Sequence, residues 1–170
     1  MTNVYALSDY IITISNVPAG VLLNGATQYS IGGCGQNGYE GSFLDSITLT
    51  RSNNIFSTEG DATGSWVHNK SLNRTGAVSI NINQISTDII ILSTICKAFE
   101  NTKDKQYRKG MKITVSPSYN TNLIVAEAYD CFVAKQEDQV LGSNAASQNW
   151  QFTSGRIEFY PNGINQIEND

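Results

Sequence analysis

The residues able to do chemistry in this chain are few and scattered. There is one histidine, His68, in a polar, turn-rich stretch. A nucleophilic triad needs it beside a Ser or Cys and a carboxylate, and no spacing nominates such partners. Cys34, Cys96 and Cys131 form no CxxC pair, so no zinc spacing arises and no metal site is expected. Cys96 falls in a helical pattern and Cys131 in an apolar strand, and both read as small core residues. Gly33-Cys34-Gly35-Gln36-Asn37-Gly38 matches GxGxxG, but a dinucleotide site needs a strand before it and a helix after it. Tyr39 to Ser42 lead instead toward another strand, so the glycines read as a chain reversal and no cofactor is expected. The carboxylates from Glu127 to Asp138 read as a solvated edge. No catalytic residue is nominated, and an enzyme is not expected.

Composition points the same way. Charged residues make up 15% of the 170 residues, against roughly 25% in an average soluble protein. Hydrophobic residues make up 40%, so a folded chain is expected. Its polar surface must come from Ser, Thr, Asn, Gln and Gly, which can be buried against a partner without desolvating ions. The net charge of −4 argues against a surface that attracts nucleic acid everywhere. Six bases cluster between Lys97 and Lys112, while from 121 onward seven acids face two bases. No apolar run approaches 18 residues, so no spanning helix and no membrane partner are expected. Met1-Thr2-Asn3-Val4-Tyr5 lacks the basic and apolar pattern of a secretory signal. Asn69-Lys70-Ser71 and Asn73-Arg74-Thr75 are therefore read as chance glycosylation triplets.

The elements that position these residues are mostly strands. Tyr10 to Ser15 reads as a strand, Val17 to Gly20 as a turn, and Val21-Leu22-Leu23 as a short return. Gln28 to Ile31 reads as a further short strand. Ser46 to Thr50 alternates, with Ile47 and Leu49 on one face. Ala77 to Asn83 alternates most clearly: Val78, Ile80 and Ile82 face a core, and Ser79, Asn81 and Asn83 face away. A helix is expected over about 86–101, capped by Ser86 or Thr87, with Asp88 at its positive end and Lys97 and Lys103 toward its other end. Its core face is Ile89, Leu92, Cys96 and Phe99, flanked by Ile85 and Ile95. Met111 to Ser116, Leu123 to Val133, Trp150 to Thr153 and Arg156 to Tyr160 read as strands, ending at Pro161-Asn162-Gly163. The fold class is mainly β: an antiparallel sandwich or barrel with one flanking helix. Residues 1–163 are expected to form one domain, and 164–170 a loose tail.

Residues 51 to 76 are long, polar and rich in turn signals, interrupted by Ile55, Phe56, Trp66, Val67 and Leu72. A long segment of this kind within a compact domain is often functional. Two readings are open: a hairpin arm that completes its packing on a neighbour, or a self-packed loop plugged by Trp66.

Several stretches together resemble a known family. They are Gly64-Ser65, Thr75 to Ile82, Ser86 and the helix after it, Lys112-Ile113-Thr114-Val115, Ala128 to Lys135 and Gln148 to Thr153. This order is similar to the inner tail-tube proteins of contractile-tailed bacteriophages, in particular the tube proteins of Mu-like phages, and to phage-like bacteriocin tubes. The likeness covers residues 60 to 160. It implies a small β-barrel or sandwich with one helix, in six-membered rings stacked inside a contractile sheath. It also implies partners: further copies of the chain, the sheath, the tape-measure and baseplate proteins, and double-stranded DNA passing through the lumen. The place would be the tail of a virion, assembled in the host cytoplasm.

Such a conduit should not hold DNA through phosphate contacts, since each bound cation slows release. Ser79, Asn81 and Asn83 form an uncharged polar row, as do Ser46, Thr48 and Thr50, and both rows are the expected lumen face. Ile55, Phe56, Trp66 and Val67 are the expected contact between stacked rings. Two other readings stay open. One is the tube of a related injection or secretion machine with a different cargo. The other is a carbohydrate-binding β-sandwich, although no cluster presents Trp66 and Trp150 together.

Overall fold

Alternation of apolar and polar residues makes most of this chain into strands. The computed structural model describes residues 10–18, 20–22, 25–32, 44–101, 110–117, 120, 122–134 and 140–165. Among them, strands β1 (Tyr10–Ser15), β2 (Tyr29–Gly32) and β3 (Leu44–Arg51) precede a hairpin of β4 (Phe56–Gly60) and β5 (Trp66–Lys70). Strand β6 (Gly76–Asn83), helix α1 (Asp88–Asn101), β7 (Met111–Pro117), β8 (Leu123–Val133) and β9 (Ser147–Asn165) follow. Seven strands form one sheet in the order β2-β1-β7-β8-β9-β6-β3, while β4 and β5 pair only with each other. Every pairing is antiparallel. The architecture is thus mainly β, a curled antiparallel half-barrel with one helix, as the sequence pattern predicts.

The core lies on one face of this sheet. Val78, Ile80 and Ile82 of β6 are wholly buried, and the register sets Val78 opposite Phe152 and Ile80 opposite Trp150. Ile12 and Ile14 of β1, Ile113 of β7 and Ala128 of β8 continue the same layer. Helix α1 closes it with Leu92, Ile95 and Cys96. Ile89 and Phe99 pack partly buried at its margin, where Phe99 meets Phe132 edge-on at 5.7 Å. Ile95, read as flanking, is as buried as Leu92, whereas Ile85 stands exposed before the helix starts. Burial raises the Cys131 thiol to about 11, so it packs as a small apolar residue.

The helix begins at Asp88, two residues later than expected, because Ser86 and Thr87 serve as its cap. The Asp88 amide donates to Ser86 Oγ (3.3 Å), and Ser86 Oγ donates to Asp88 Oδ2 (2.9 Å). Tyr29 of β2 donates to Asp88 Oδ1 at 2.5 Å, which ties the helix start to the sheet edge. Burial first, then this bond, pushes the Tyr29 phenol above its usual range. The last turn of α1 carries no base: Lys97 sits one turn too early, and Lys103 lies outside the described residues.

Three other segments differ from their sequence reading. Val21 and Leu22 form a bend instead of a returning strand. Positive φ at Asn16, Gly20 and Gly25 curls this loop, so that Val17 and Leu22 plug the core, and the partner of β1 on that side is β2. Trp150–Thr153 and Arg156–Tyr160 are parts of one strand, β9. Its Ser154-Gly155 joint is absorbed where Asp130 of β8 takes φ 55°. Strand β9 also runs past Gly163 to Asn165, pairing Ile164 with Ile124 and Asn165 with Leu123. A register shift between Ile124 and Ala126 takes up the Pro161-Asn162-Gly163 turn signal as a bulge. Residues 166–170 of the expected tail, like the glycine-rich 33–38 segment, lie outside the described residues.

The two faces of β6 should respond differently to truncation. Ile80→Ala is expected to lower the unfolding free energy by roughly 2–5 kcal/mol, through lost burial and the cavity left behind. Ser79→Ala should stay within roughly 0.5 kcal/mol. Equal losses in urea titrations of the two variants would contradict this assignment of faces.

Candidate functional site

Three features stand outside the core: an arm, a groove and a charged seam. The arm is the β4–β5 hairpin with its flanks. It continues from β3 and returns into β6, the two strands at one side of the sheet. Every residue from Ser52 to Arg74 is exposed. Trp66 is 67% exposed and Phe56 56%, so the reading of a self-packed loop plugged by Trp66 is overturned. The physical reason is pairing: β4 and β5 pair along their inner edges, and their outer edges face solvent instead of the sheet. The register puts Phe56, Thr58 and Gly60 opposite Lys70, His68 and Trp66. Opposed residues share a face, so Phe56, His68 and Trp66 lie together, while Val67 lies on the other face with Glu59. Thr58 Oγ1 and His68 Nδ1 are 2.8 Å apart on the first of these faces. Ile55 sits at the arm's base, where its carbonyl accepts the Ser71 amide.

Gly76 forms the root of the arm. A Cβ there would meet the Thr50 carbonyl oxygen at 2.1 Å and Ile157 Cδ1 at 2.7 Å. Only glycine lets β3, β6 and β9 converge at this point.

The groove lies on the sheet face turned away from the core. It holds about 300 Å³ and is lined by Ser46, Thr48, Thr50, Ala77, Ser79, Asn81 and Asn149. The register explains the convergence: Thr48 lies opposite Ser79 and Thr50 opposite Ala77, while Asn81 lies opposite Asn149. No ionisable side chain lines it. Asn83 shares the face but not the groove, and its Oδ1 accepts the Ile85 amide at 3.1 Å.

The seam runs along the same face, on β7, β8 and β9. Glu127, read from sequence as part of a solvated edge, is 2% exposed. It pairs with Lys112 Nζ at 3.1 Å and accepts hydrogen bonds from the Tyr129 and Tyr160 hydroxyls. Burial, then Glu127, raises the Tyr129 phenol above its usual range. Glu158 accepts from three guanidiniums: Arg51 at 3.2 Å, Arg74 at 2.5 Å and Arg156 at 3.0 Å. Arg51 also donates through Nε and Nη2 to the Ile157 carbonyl, at 2.8 and 2.7 Å. Its guanidinium lies 5.4 Å from the Phe159 ring centre, and that of Arg156 lies 5.0 Å from the Tyr129 ring centre. Sequence reasoning missed this seam, because Arg51, Arg74 and Glu158 are up to 107 residues apart. The one signal was the alternation of charge and aromatic rings in Arg156 to Tyr160.

Among the described residues no group of three or more His, Cys, Asp or Glu could hold a metal. No helix among the described residues is long and apolar enough to cross a membrane.

No family model matches the sequence, and no curated protein matches it. Solved structures do match the fold. One is a chain from an extracellular contractile injection system, the PVC sheath/tube terminator in the extended state. Its TM-score is 0.54 at 9% identity, over 94% of this chain and 98% of that one. Another comes from the PVC sheath-tube complex in the extended state, with a TM-score of 0.51 at 10% identity, over 91% of this chain and 90% of that one. This chain therefore shares the fold of proteins found in contractile tail-like assemblies.

The seam gives the protein a pH dependence. Burial acts to raise the Glu158 carboxyl, and the bonds and charges of Arg74 and Arg156 more than reverse it, leaving it below its usual value. A carboxyl depressed in the folded state stabilises that state above its unfolded pKa of about 4.3, and the contribution fades as pH falls through the depressed value. Glu158→Gln is expected to cost about 1 kcal/mol at pH 7, since Arg74 and Arg156 are half exposed. It should also flatten the loss of stability below pH 4. A parallel acid limb in melting curves of both proteins would rule out this role.

Proposed function

We propose that this chain, folded as one unit, is a structural subunit of the inner tube of a contractile tail-like machine. In this reading hexameric rings of the chain stack into a hollow conduit. The observation that carries it is the arm, a hairpin that leaves the sheet with Phe56 and Trp66 exposed on one face. Large apolar groups held on a formed, fully solvated hairpin mark a contact surface, and a second copy is the simplest occupant. Ile55, Phe56, Trp66 and Val67 then bridge stacked rings.

The sheet supports the same reading. Strands β2 and β3 end it, and open edges invite pairing with another chain. Joining edges around a ring would extend the half-barrel into a wide barrel with an aqueous channel. The uncharged groove suits the wall of that channel, with Ser46, Thr48, Thr50, Ser79 and Asn81 toward the lumen and Asn83 near its rim. A wall without cations does not retain a passing polyanion by phosphate contacts.

In a phage tail the cargo is double-stranded DNA, and the sheath, tape-measure and baseplate proteins are the other partners. The particle would be a virion tail, assembled in the host cytoplasm. The fold likeness to chains from an extracellular contractile injection system favours a second reading, a tube of the same build that delivers a different payload. Neither reading assigns a catalytic residue or a cofactor.

Negative-stain electron microscopy of the purified chain at rising concentration tests the proposal. Rings or hollow tubes are expected, and a sample that stays monomeric at every concentration would count against it. Deleting 53–63, which removes β4 and most of the tip, should leave folded monomers or single rings that do not stack. Intact tubes from that deletion would exclude the arm as the stacking contact.

A further inference from the structure

The arm is electrically polarised along its length. Between Ser52 and Val67 the ionisable side chains are Glu59 and Asp61 alone, and both lie at or beside the tip. Asp61 starts the turn between β4 and β5. Its Oδ1 accepts the Thr63 amide (2.9 Å), the Thr63 hydroxyl (2.6 Å) and the Ser65 amide (3.0 Å). These bonds, the Thr63 side chain first, hold its carboxyl below the usual range. The Gly64 backbone adds to this hold on the Asp61 carboxyl, and Glu59 is exposed beside it. The tip thus presents two carboxylates to solvent, of which Asp61 is held in place by the turn.

The root is the opposite. Arg51 closes β3, Arg74 leads into β6, and Arg156 lies beside them on β9, with Glu158 as the carboxylate they share. Three guanidiniums offer about fifteen N–H donors and one carboxylate about four acceptor positions, so among the described residues most donors on Arg74 and Arg156 remain unused. Their side chains are 53% and 55% exposed, and Lys70 adds a further base on the root side. Tip and root of one copy are held apart by the β4–β5 ladder, whose strands have 5 residues each, about 17 Å at roughly 3.4 Å per residue.

We propose that the acidic tip of one copy's arm docks on the arginine cluster at the arm root of another copy, so that stacking propagates head to tail. This rests on the reading of the arm as an assembly contact and names the surface that receives it. Because tip and root are different patches, the contact is heterologous, and each docked copy offers a fresh tip and a fresh root. A contact of this type grows without limit, as a tube requires. Carboxylates meeting guanidiniums give charge-assisted, bidentate bonds that fix the register, while the Phe56–Trp66 face adds apolar burial beside them.

Two charge-reversed full-length proteins test this, E59R/D61R and R74E/R156E, each first checked for a cooperative melting transition above the assay temperature. Alone, each pairs like with like, so the midpoint concentration for stacking, read by sedimentation velocity and negative stain, should rise roughly tenfold or more. Mixed in equal amounts they should stack again, since each root then meets a tip of opposite sign. Stacking of the wild type should also weaken as NaCl rises from about 0.05 to about 0.5 M. E59R/D61R stacking at the wild-type concentration would overturn the inference while leaving the tube reading intact. So would a mixture that fails to recover, including the case where R74E/R156E loses binding to duplex DNA instead. Single rings that no longer stack in either variant, and stack when mixed, would uphold both. Head-to-tail chains without rings would uphold the docking contact and sink the tube.

Discussion

The backbone ladder of β9 is the interaction on which the rest of the molecule depends. Its first part pairs with β6 from Ser147 to Ser154, and its second part pairs with β8 from Phe152 to Asn165. The core, the groove and the seam all hang on this strand. Trp150 and Phe152 point into the core, Asn149 lines the groove, and Arg156 and Glu158 build the seam. A strand of 19 residues passes from one partner to the other at Phe152–Ser154, which pair with both β6 and β8. There Ser154 Oγ lies within hydrogen-bond distance of the Tyr129 and Arg156 carbonyl oxygens.

This change of partner has a counterpart on the neighbouring strand. Asp130 takes a positive φ, and its Oδ1 accepts the Gly110 amide at 3.2 Å. A Cβ on Gly110 would fall 2.2 Å from that oxygen, so the approach of β7 to this bulge requires glycine. Bulges of this kind increase twist and re-aim side chains. Here the bulge changes the phase of β8, so that Cys131 and Ala128 both face the core while Tyr129 turns to the seam. The sheet can then curl without breaking its ladder.

A curled sheet with one helix cannot cover itself completely, and the fold divides its surface accordingly. The helix covers the apolar face through Leu92, Ile95 and Cys96. The opposite face is left to polar groups, uncharged toward β3 and β6 and ion-paired toward β7, β8 and β9. Burying Glu127 there is tolerable because one base and two phenols surround it. The arm stays out of both layers. Its strands pair with each other, and Phe56 and Trp66 stay exposed.

The sequence by itself determined the local structure. Period-two alternation marked β3, β6 and β7, short apolar runs marked β1 and β8, and 3.6-residue spacing marked α1, because side-chain direction follows directly from backbone period. The same alternation separated Ser79 and Asn81 from Val78 and Ile80, and so named most of the groove before any pairing was known. What it could not carry was long-range partnership. That β9 is one strand, that the Val21–Leu22 segment is a plug, and that 56–70 is a free hairpin and not a plugged loop depended on which strands pair. Glu127 looked solvated because it interrupts an apolar run with no base beside it in the chain, and it is buried because Lys112 and Tyr160 reach it from other strands. The arginine cluster likewise exists only where β3, β6 and β9 converge on Gly76. Such ion pairs join residues about a hundred positions apart, and only the tertiary register decides which charges meet.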